Sequence, residues 1–297
     1  MEVSRRTLVL ALALTPGIGG KSITRIMTRN DLLGRGQDEF LRLGEEALRE
    51  EYRLGARAAA EWASKASERI AAADQLLAKL DGHSVTIVTA ADAHYPRRIE
   101  AMDSDPPGVL FLYGNVRLLD ANTFCVLSSR GSSEQALSLI EKLTEQGVLD
   151  AKVLVTGHDT PEYQRAAVVP LRWGAPRVLA LDKGFFEAFG EDLKEEPFPA
   201  ARLWRYEFDP TTDLAVTSIG PEQSYHRNAN RLRDRLVATL SQSLDFVCVN
   251  KGGNMERLAR IALKVGRKVR VSELAEMQDA LAALGAARLP ATIDSVS

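Results

Sequence analysis

The spacing of apolar residues changes once along the chain, near Gly82. Residues 4–80 are predicted to be helical, because apolar positions such as Ile70, Ala73 and Leu77 recur at helical spacing. After Gly82 the pattern changes to short apolar runs, separated by helical stretches and glycine-bearing turns. These runs are VTIV, VLFLYG, FCVLSS, KVLVTG, RVLALD, LWRYEF, LAVTSI, DFVCVN and KVRV.

Strands that alternate with helices favour parallel βαβ units with right-handed crossovers. The sequence therefore predicts an α/β fold in which residues 83–297 form a Rossmann-like domain with a mostly parallel sheet. Residues 1–82 are predicted to form a separate, small helical domain. A chain of 297 residues exceeds the usual size of one domain, which agrees with this division. The acidic stretch at residues 187–199 is interpreted as a solvated loop.

Composition places the protein among ordinary globular chains, because 45% of its residues are hydrophobic and 26% are charged. No apolar segment of the sequence reaches the length of a membrane span, so we expect no membrane association. Cys125 and Cys248 each lie within an apolar run, without a histidine or a second cysteine at the spacing of metal ligands. We therefore expect free structural cysteines, no metal site and a reducing cytoplasm.

The N-terminus and the turn that follows it admit several interpretations. Arg5 and Arg6 before the apolar run 8–14 imitate a signal peptide, but this run is short and leads directly into the turn TPGIGGKS at residues 15–22. That turn fits the end of a Walker A nucleotide loop, although Thr15 stands where the pattern needs glycine. We favour a helix-hairpin-helix turn of a SAM-like domain, whose amides can face a DNA phosphate. A plain structural turn is the third alternative.

The formal net charge is only −2, but the charges are unevenly distributed. The segment 225–270 contains 11 Lys or Arg against three acids, which gives it +8 and leaves −10 for the rest of the chain. Such asymmetry indicates a basic face for a polyanion, and a solvated basic surface is the alternative. Helical spacing aligns Arg227, Arg231 and Arg235, and places Arg233 in the apolar arc. Because a cation that points at the core is costly unless paired, Arg233 either begins the helix or reaches a pocket that accepts an anion.

Two strand-to-helix junctions offer backbone amides and a helix N-terminus to an anion. The first follows the run FCVL and carries the hydroxyls of Ser128 and Ser129, with Arg130 and Gly131. The second follows the run DFVCV and carries Lys-Gly-Gly at residues 251–253. Helix capping in the first case and a tight turn in the second explain these residues without a ligand.

Other candidate chemistry is weak. Trp204, Tyr206 and Phe208 alternate on the predicted strand LWRYEF, as in a base-stacking platform, although such residues more often belong to the core. The histidines lack the spacing of metal ligands, and no serine or cysteine lies in a recognisable nucleophile elbow. Acid and base groups cluster at a predicted strand end only in His158-Asp159. We therefore expect no enzymatic activity and no cofactor.

Taken in order, these segments resemble the DNA-processing protein A (DprA/Smf) family from about residue 8 to residue 271. The family's opening helix and hairpin are similar to LALALTPGIG. The most specific evidence for the resemblance is the motif YPRRI at residues 95–99 followed by DPPGVLFLYG at residues 105–114, which is similar to a succession of motifs in the family. The run FCVLSSR resembles the family strand that ends in Gly-Ser-Arg. The segment RDRLVATLS at residues 233–241 resembles its Arg-Asn-Arg motif, with aspartate in place of asparagine.

The chain departs from the family at two strand ends. Where the family has Ser-Gly-x-Ala-x-Gly-Ile-Asp, this chain has TGHDTPEY and keeps only Gly157. Where the family has Glu-Ala and Ser-Gly, this chain has NKGG at residues 250–253. The resemblance implies an extended Rossmann domain in which Ser129 and Arg130 lie in a basic pocket for single-stranded DNA.

From the resemblance we expect a non-enzymatic protein that binds single-stranded DNA, forms a homodimer and acts with a recombinase in DNA uptake and recombination. Divergence on this scale suggests a repurposed role in antiviral defence or toxin-antitoxin regulation, with an operon-encoded partner. The alternatives are a protein-binding scaffold and a sensor or hydrolase of a nucleotide-like ligand. The hydrolase is disfavoured because Ala259 replaces the glutamate of the motif in related lysine-decarboxylase-like proteins. The residues predicted to bind phosphate or nucleic acid are Ser128, Ser129, Arg130, Gly131, Gly157, Arg227, Arg231, Arg233, Arg235, Lys251, Gly252 and Gly253.

Overall fold

The computed structural model describes residues 3–292. The outer ends of the two predicted domains, residues 1–2 and 293–297, lie outside this range. The chain divides into two compact units: the first comprises residues 1–100 and 104–112, and the second comprises residues 101–103 and 113–297.

Helices and strands follow each other as the apolar pattern predicts, except that the run LWRYEF forms no strand and that the pattern does not predict the last strand, at residues 287–289. The helices are α1 (Arg5–Ala13), α2 (Gly20–Leu33), α3 (Gln37–Leu41), α4 (Glu45–Glu50), α5 (Ala56–Asp81), α6 (Arg97–Met102), α7 (Glu134–Leu149), α8 (Pro161–Ala167), α9 (Val169–Arg172), α10 (Phe185–Phe189), α11 (Ala229–Leu240), α12 (Asn254–Lys264) and α13 (Gln278–Ala282). The strands are β1 (Thr86–Thr89), β2 (Val109–Gly114), β3 (Thr123–Leu127), β4 (Val153–Thr156), β5 (Arg177–Ala180), β6 (Leu214–Thr217), β7 (Ser243–Phe246), β8 (Lys268–Ser272) and β9 (Ala287–Leu289). The change of period near Gly82 is confirmed, whereas the domain boundary drawn there stays a prediction. Among residues 3–292, no helix has both the length and the apolar character needed to cross a membrane.

The first unit begins with helices that bury their apolar faces. Ser4 caps α1, because its Oγ accepts a hydrogen bond from the Thr7 amide at 3.0 Å, and the Thr7 hydroxyl donates to Asp74 of α5 at 2.7 Å. Since α1 is a helix, whereas a Walker A loop follows a strand, the nucleotide-loop interpretation of the next turn is wrong. In that turn the Gly20 amide donates to the Pro106 carbonyl at 3.2 Å. A phosphate contact by this turn stays a prediction.

The second unit is built on a parallel sheet with the strand order β6-β5-β4-β3-β7-β8-β9. Each neighbouring pair in this series is parallel, whereas β1 and β2 form an antiparallel pair in the first unit. The predicted α/β fold with a mostly parallel sheet is confirmed. Because β4 and β7 lie on opposite sides of β3, the chain changes direction there, and the carboxyl ends of these strands bound a crevice.

Helices cover the parallel sheet and bury its apolar residues. Leu139 and Leu143 of α7 belong to the same buried cluster as Phe124 of β3. Cys125 of β3 is buried, which raises the pKa of its thiol and keeps it protonated. Cys248 is half-buried, and both cysteines are free, as expected.

The predicted strand LWRYEF is wrong. A 3-10 turn at Pro199–Leu203 precedes Trp204, and the Phe208 amide donates to the Lys194 carbonyl at 2.7 Å instead of joining the sheet. Proline begins this turn because its fixed φ suits a helical start. Trp204 and Tyr206 are 43% and 76% exposed, whereas Phe208 is buried, so the three rings share no face.

The interpretation of the acidic stretch as a solvated loop is also wrong at Glu196, which is 1% exposed. Its carboxylate accepts two hydrogen bonds of 2.7 Å from the guanidinium of Arg177 on β5. Arg177 also donates to Asp213 at 2.9 Å, and Arg205 donates to the same carboxylate at 2.7 Å. This buried cluster joins β5 to the residue before β6. The prediction failed because the partner cation lies outside the acidic stretch.

We expect Glu196→Ala to lower the free energy of unfolding by about 3–5 kcal/mol, because the buried Arg177 guanidinium loses one of its carboxylates. The control is Glu195→Ala, which removes a neighbouring exposed carboxylate and should change stability by less than about 0.5 kcal/mol. Chemical denaturation followed by circular dichroism measures both values. Similar losses in the two variants would contradict a structural role for this buried cluster.

Candidate functional site

Two adjoining cavities open at the carboxyl edge of the parallel sheet. The first, called the basic cavity, has a volume of about 380 Å³ and is lined by Ser128, Ser129, Arg130, Thr160, Tyr163, Arg227, Asn230, Arg231, Arg233, Asp234, Asn250, Gly253, Asn254 and Met255. The second, called the acidic cavity, has a volume of about 450 Å³ and is lined by Arg130, Gly131, Asp159, Thr160, Pro161, Glu162, Asp182, Tyr225 and Asn230. The two cavities share Arg130, Thr160 and Asn230.

Three exposed arginines surround the basic cavity. Arg227 lies just before α11, Arg231 lies in the first turn of α11, and Arg130 lies in the loop after β3. Arg227 and Arg231 form no ion pair with any of the residues 3–292. The Arg130 guanidinium lies 3.9 Å from the Asp159 carboxylate, and its side chain is 64% exposed. These cations are therefore accessible to an anion that enters from solvent.

A fourth arginine, Arg233, is buried in the wall of the basic cavity and is 1% exposed. It forms an ion pair with Asp159, its Nε donates to Asp234 at 2.8 Å, and its guanidinium lies 4.4 Å from the ring centre of Tyr163. The Tyr163 hydroxyl donates to Asp234 at 2.8 Å, and the Asn254 amide donates to it at 2.7 Å. The predicted burial of Arg233 is confirmed, and the anions that it meets are carboxylates of the protein.

Gly157, directly after β4, makes room for this arginine. A Cβ at this position would lie 2.8 Å from Cδ of Arg233 and 2.9 Å from the Tyr163 ring. Contacts this short do not occur between real carbon atoms, so any larger residue would displace one of the two side chains. Gly157 therefore permits the buried pair and does not itself line either cavity.

The serines after β3 join two loops. The Ser128 hydroxyl accepts a hydrogen bond from the Cys248 amide at 3.1 Å, and the Ser129 hydroxyl accepts one from the Asn250 amide at 3.1 Å. These contacts hold the loop after β3 against the loop after β7. The Arg130 amide has no hydrogen-bond partner among the described residues, so this part of the loop retains a free donor beside the basic cavity.

Carboxylates of the protein occupy the second predicted anion site. The Lys251 amide donates to Glu276 at 3.0 Å, and the Gly252 amide donates to Glu256 at 2.7 Å. These carboxylates stand where a phosphate would bind a helix N-terminus. Of the predicted Lys-Gly-Gly sequence, only Gly253 lines the basic cavity.

Not every cation of the +8 segment faces the cavities. Arg235 forms an ion pair with Asp103, to which its Nε donates at 2.8 Å, and it lines neither cavity. Arg260 and Arg270 pair with Glu256 and Asp245. The predicted residues that the structure brings to the basic cavity are Ser128, Ser129, Arg130, Arg227, Arg231, Arg233 and Gly253, and Gly131 lines the acidic cavity. Their role in binding stays a prediction.

His158 and Asp182 lie at the ends of neighbouring strands beside the acidic cavity. The His158 Nε2 lies 3.9 Å from Oδ1 of Asp182. Burial, together with the positive charges of Lys183 and Arg233, lowers the pKa of His158 from 6.5 to about 3, so the ring is neutral at pH 7. Burial raises the pKa of Asp182. Among the described residues, no cluster of His, Cys, Asp and Glu could hold a metal ion.

Sequence reasoning missed several residues that line the site, above all Asp182, Glu162 and Tyr163. One signal was present for Asp182, because it ends the predicted strand run RVLALD, where the carboxyl edge of a parallel sheet collects functional side chains. Glu162 and Tyr163 lie in α8 and carried no comparable signal, since nothing local showed that α8 packs beside Arg233.

Residues 86–159 match the family model described as DNA recombination-mediator protein A. The fold is similar to that of DNA processing protein A from Streptococcus pneumoniae, with a TM-score of 0.73 and 18% sequence identity over 97% of this chain and 95% of that chain. The segment at residues 86–159 therefore resembles the DNA-processing protein A family, and the fold of the chain is similar to that of a solved structure of such a protein. No curated protein sequence matches it.

A second DNA processing protein A has a similar fold over a smaller part of this chain. DNA processing protein A from Helicobacter pylori, whose structure is described for its single-stranded DNA binding mode, has a TM-score of 0.52 and 14% identity, and the match covers 69% of this chain and 90% of that chain. At 18% and 14% identity, the two structures show the fold of this chain and nothing further.

We expect the stability of the protein to fall below pH 6.5 because of His158. The unfolded state takes up a proton near pH 6.5, whereas the folded state keeps the ring neutral down to about pH 3. Stability is therefore lost as the pH falls through this window, by about 1.4 kcal/mol per pH unit. Urea denaturation at pH 7 and pH 5.5 should show a smaller loss in His158→Gln than in the wild type.

The matched control is His226→Gln, which changes an exposed ring in the same unit. This variant should lose as much stability between the two pH values as the wild type. An identical pH dependence in the wild type and in His158→Gln would show that His158 is not responsible.

Proposed function

We propose that this protein is a diverged relative of DNA-processing protein A that binds single-stranded DNA at the basic cavity and acts in DNA processing and recombination without catalysing a reaction. The observation that carries the proposal is the set of three accessible guanidinium groups, those of Arg130, Arg227 and Arg231, around one cavity at the carboxyl edge of the sheet. Arginine binds phosphate through two parallel hydrogen bonds, so this arrangement suits a nucleic-acid backbone.

The size of the cavity favours single strands. Cavities of roughly 300–1,000 Å³ hold groups of the size of a small molecule, such as one nucleotide. The basic cavity, at about 380 Å³, lies at the lower end of this range. A nucleotide of a single strand can turn into such a cavity, whereas a paired and stacked nucleotide of a duplex must first be unpaired. The structure described for the Helicobacter pylori family member supports the same ligand.

The finer roles are supported by the family resemblance alone. These are DNA uptake, action with a recombinase, assembly as a homodimer and a location in the cytoplasm. A repurposed role in antiviral defence or toxin-antitoxin regulation, with an operon-encoded partner, is suggested only by the divergence of the chain. All of these finer roles depend on the proposal of DNA binding, and none of them is evidence for it.

We expect the double change Arg227→Glu and Arg231→Glu to weaken binding of labelled single-stranded DNA by at least tenfold, because two phosphate contacts become repulsive. The slope of log affinity against log salt should fall by about 1.4, since each phosphate contact contributes about 0.7 for single strands. Fluorescence anisotropy over a range of salt concentrations measures both quantities, and labelled duplex should bind more weakly than single strands.

The control is Lys264→Glu with Lys268→Glu, which makes the same change of net charge in the same segment at exposed positions outside both cavities. This variant should retain most of the affinity. Equal losses in the two double variants would show that overall charge, and not the basic cavity, controls binding. No binding by the wild type at low salt would leave the scaffold alternative ahead.

We also expect the protein to release neither phosphate from ATP nor base from nucleoside monophosphates. The turn after α1 follows a helix and lacks the first glycine of a nucleotide loop, and His158 is a weak base because its pKa is about 3. Phosphate release and chromatographic detection of free base measure the two activities. Turnover that disappears in Lys21→Ala or in His158→Gln would overturn the proposal of a non-enzymatic protein.

A further inference from the structure

The acidic cavity carries a chemistry opposite to that of the basic cavity beside it. Three carboxylates line it, those of Asp159, Glu162 and Asp182, with the single cation Arg130. Asp159 is held by its ion pair with Arg233. Through Oε1, Glu162 accepts a hydrogen bond from the Ser132 amide at 3.0 Å. The cavity therefore offers acceptors that the protein does not use.

Two of these acceptors are buried and have no partner among the described residues. They are Oε2 of Glu162 and Oδ1 of Asp182, and the residues are 5% and 4% exposed. The His158 Nε2, 3.9 Å from Asp182, also has no hydrogen-bond partner. Leaving a buried polar atom unpaired costs about 1–3 kcal/mol, so these acceptors, which line an open cavity, are available to a donor that enters it.

Ionised carboxylates only accept hydrogen bonds, which limits the ligand that they can bind. A phosphate would be repelled by the carboxylates of Glu162 and Asp182. A small cation is disfavoured by Arg130, which lines the same cavity. A neutral group with N–H or O–H donors meets neither objection. Nucleotides carry such groups on the edges of their bases and, in RNA, on the ribose 2′-hydroxyl.

The position of the cavity indicates which ligand brings the donor. Arg130, Thr160 and Asn230 line both cavities, so a molecule whose phosphate meets Arg130 in the basic cavity has its sugar or base next to the acidic cavity. We propose that the acidic cavity binds a hydrogen-bond donor, either a base amino group or a ribose hydroxyl, of the nucleotide whose phosphate lies in the basic cavity. This inference rests on the proposed function, and it adds selectivity to a site otherwise directed at phosphate.

The test compares oligonucleotides that differ by one donor. Full-length protein is titrated with labelled (dU)12, (rU)12, (dUdG)6 and (dUdI)6. The pair (dUdG)6 and (dUdI)6 differs by the amino group of guanine, which hypoxanthine lacks. The pair (rU)12 and (dU)12 differs by the 2′-hydroxyl of ribose, which deoxyribose lacks. A base amino group as the donor predicts that (dUdG)6 binds about tenfold more tightly than (dUdI)6, the effect of one hydrogen bond to a charged acceptor. A ribose hydroxyl as the donor predicts the same ratio between (rU)12 and (dU)12.

Asp182→Asn then tests whether the acidic cavity produces the selectivity. The new amide places a donor where the ligand's donor should bind, so the tenfold ratio should fall to within about twofold. Glu162→Gln provides a second variant of unchanged size. The control Asp192→Asn makes the same chemical change at an exposed carboxylate outside both cavities, and it should keep the ratio.

The outcomes separate the two proposals. Binding of all four oligonucleotides within twofold of each other, or a ratio that survives in both cavity variants, overturns the donor site and leaves DNA binding at the basic cavity intact. No binding of any oligonucleotide overturns both proposals. A ratio that is present in the wild type and in Asp192→Asn, and lost in either cavity variant, supports the donor site.

Discussion

The candidate site depends on the burial of one cation, Arg233. A guanidinium removed from water is costly unless carboxylates and hydrogen bonds compensate it. Asp159 from the end of β4 and Asp234 from α11 supply the charges, and the Tyr163 ring from α8 lies against the guanidinium. Asn254 at the start of α12 binds the same Asp234. One buried ion cluster therefore fixes four elements at the carboxyl edge of the sheet.

The same cluster separates the two cavities. Arg233 and Asp234 line the basic cavity, while Asp159 lines the acidic one, so the ion pair of Arg233 with Asp159 forms part of the wall between them. The carboxylates of the cluster neutralise the charge of Arg233. The positive charge of the basic cavity therefore comes from Arg227, Arg231 and Arg130. A charge count along the chain cannot show this division, because it adds paired and accessible cations alike.

Local spacing was sufficient to predict the alternation of helices and parallel strands and the burial of Arg233, since both follow from the periods of helix and strand. It failed at residues 204–208, where alternating aromatics follow a proline-initiated turn. It also failed at Glu196 and Asp182, whose surroundings are set by residues distant in the chain. The position of Arg235, opposite Asp103, depends on a contact across more than a hundred residues and left no local signal.

The departures from the family pattern at the site act together. Aspartate at position 234 replaces the asparagine of the Arg-Asn-Arg motif that this segment resembles, and His158-Asp159 replaces part of the glycine-rich motif after β4. Each change adds a carboxylate within reach of Arg233. An arginine beside a neutral asparagine would keep its charge for a phosphate, whereas here two carboxylates neutralise it. Arg233 is therefore a structural cation, and the exposed arginines around it are the cations that remain accessible to an anion.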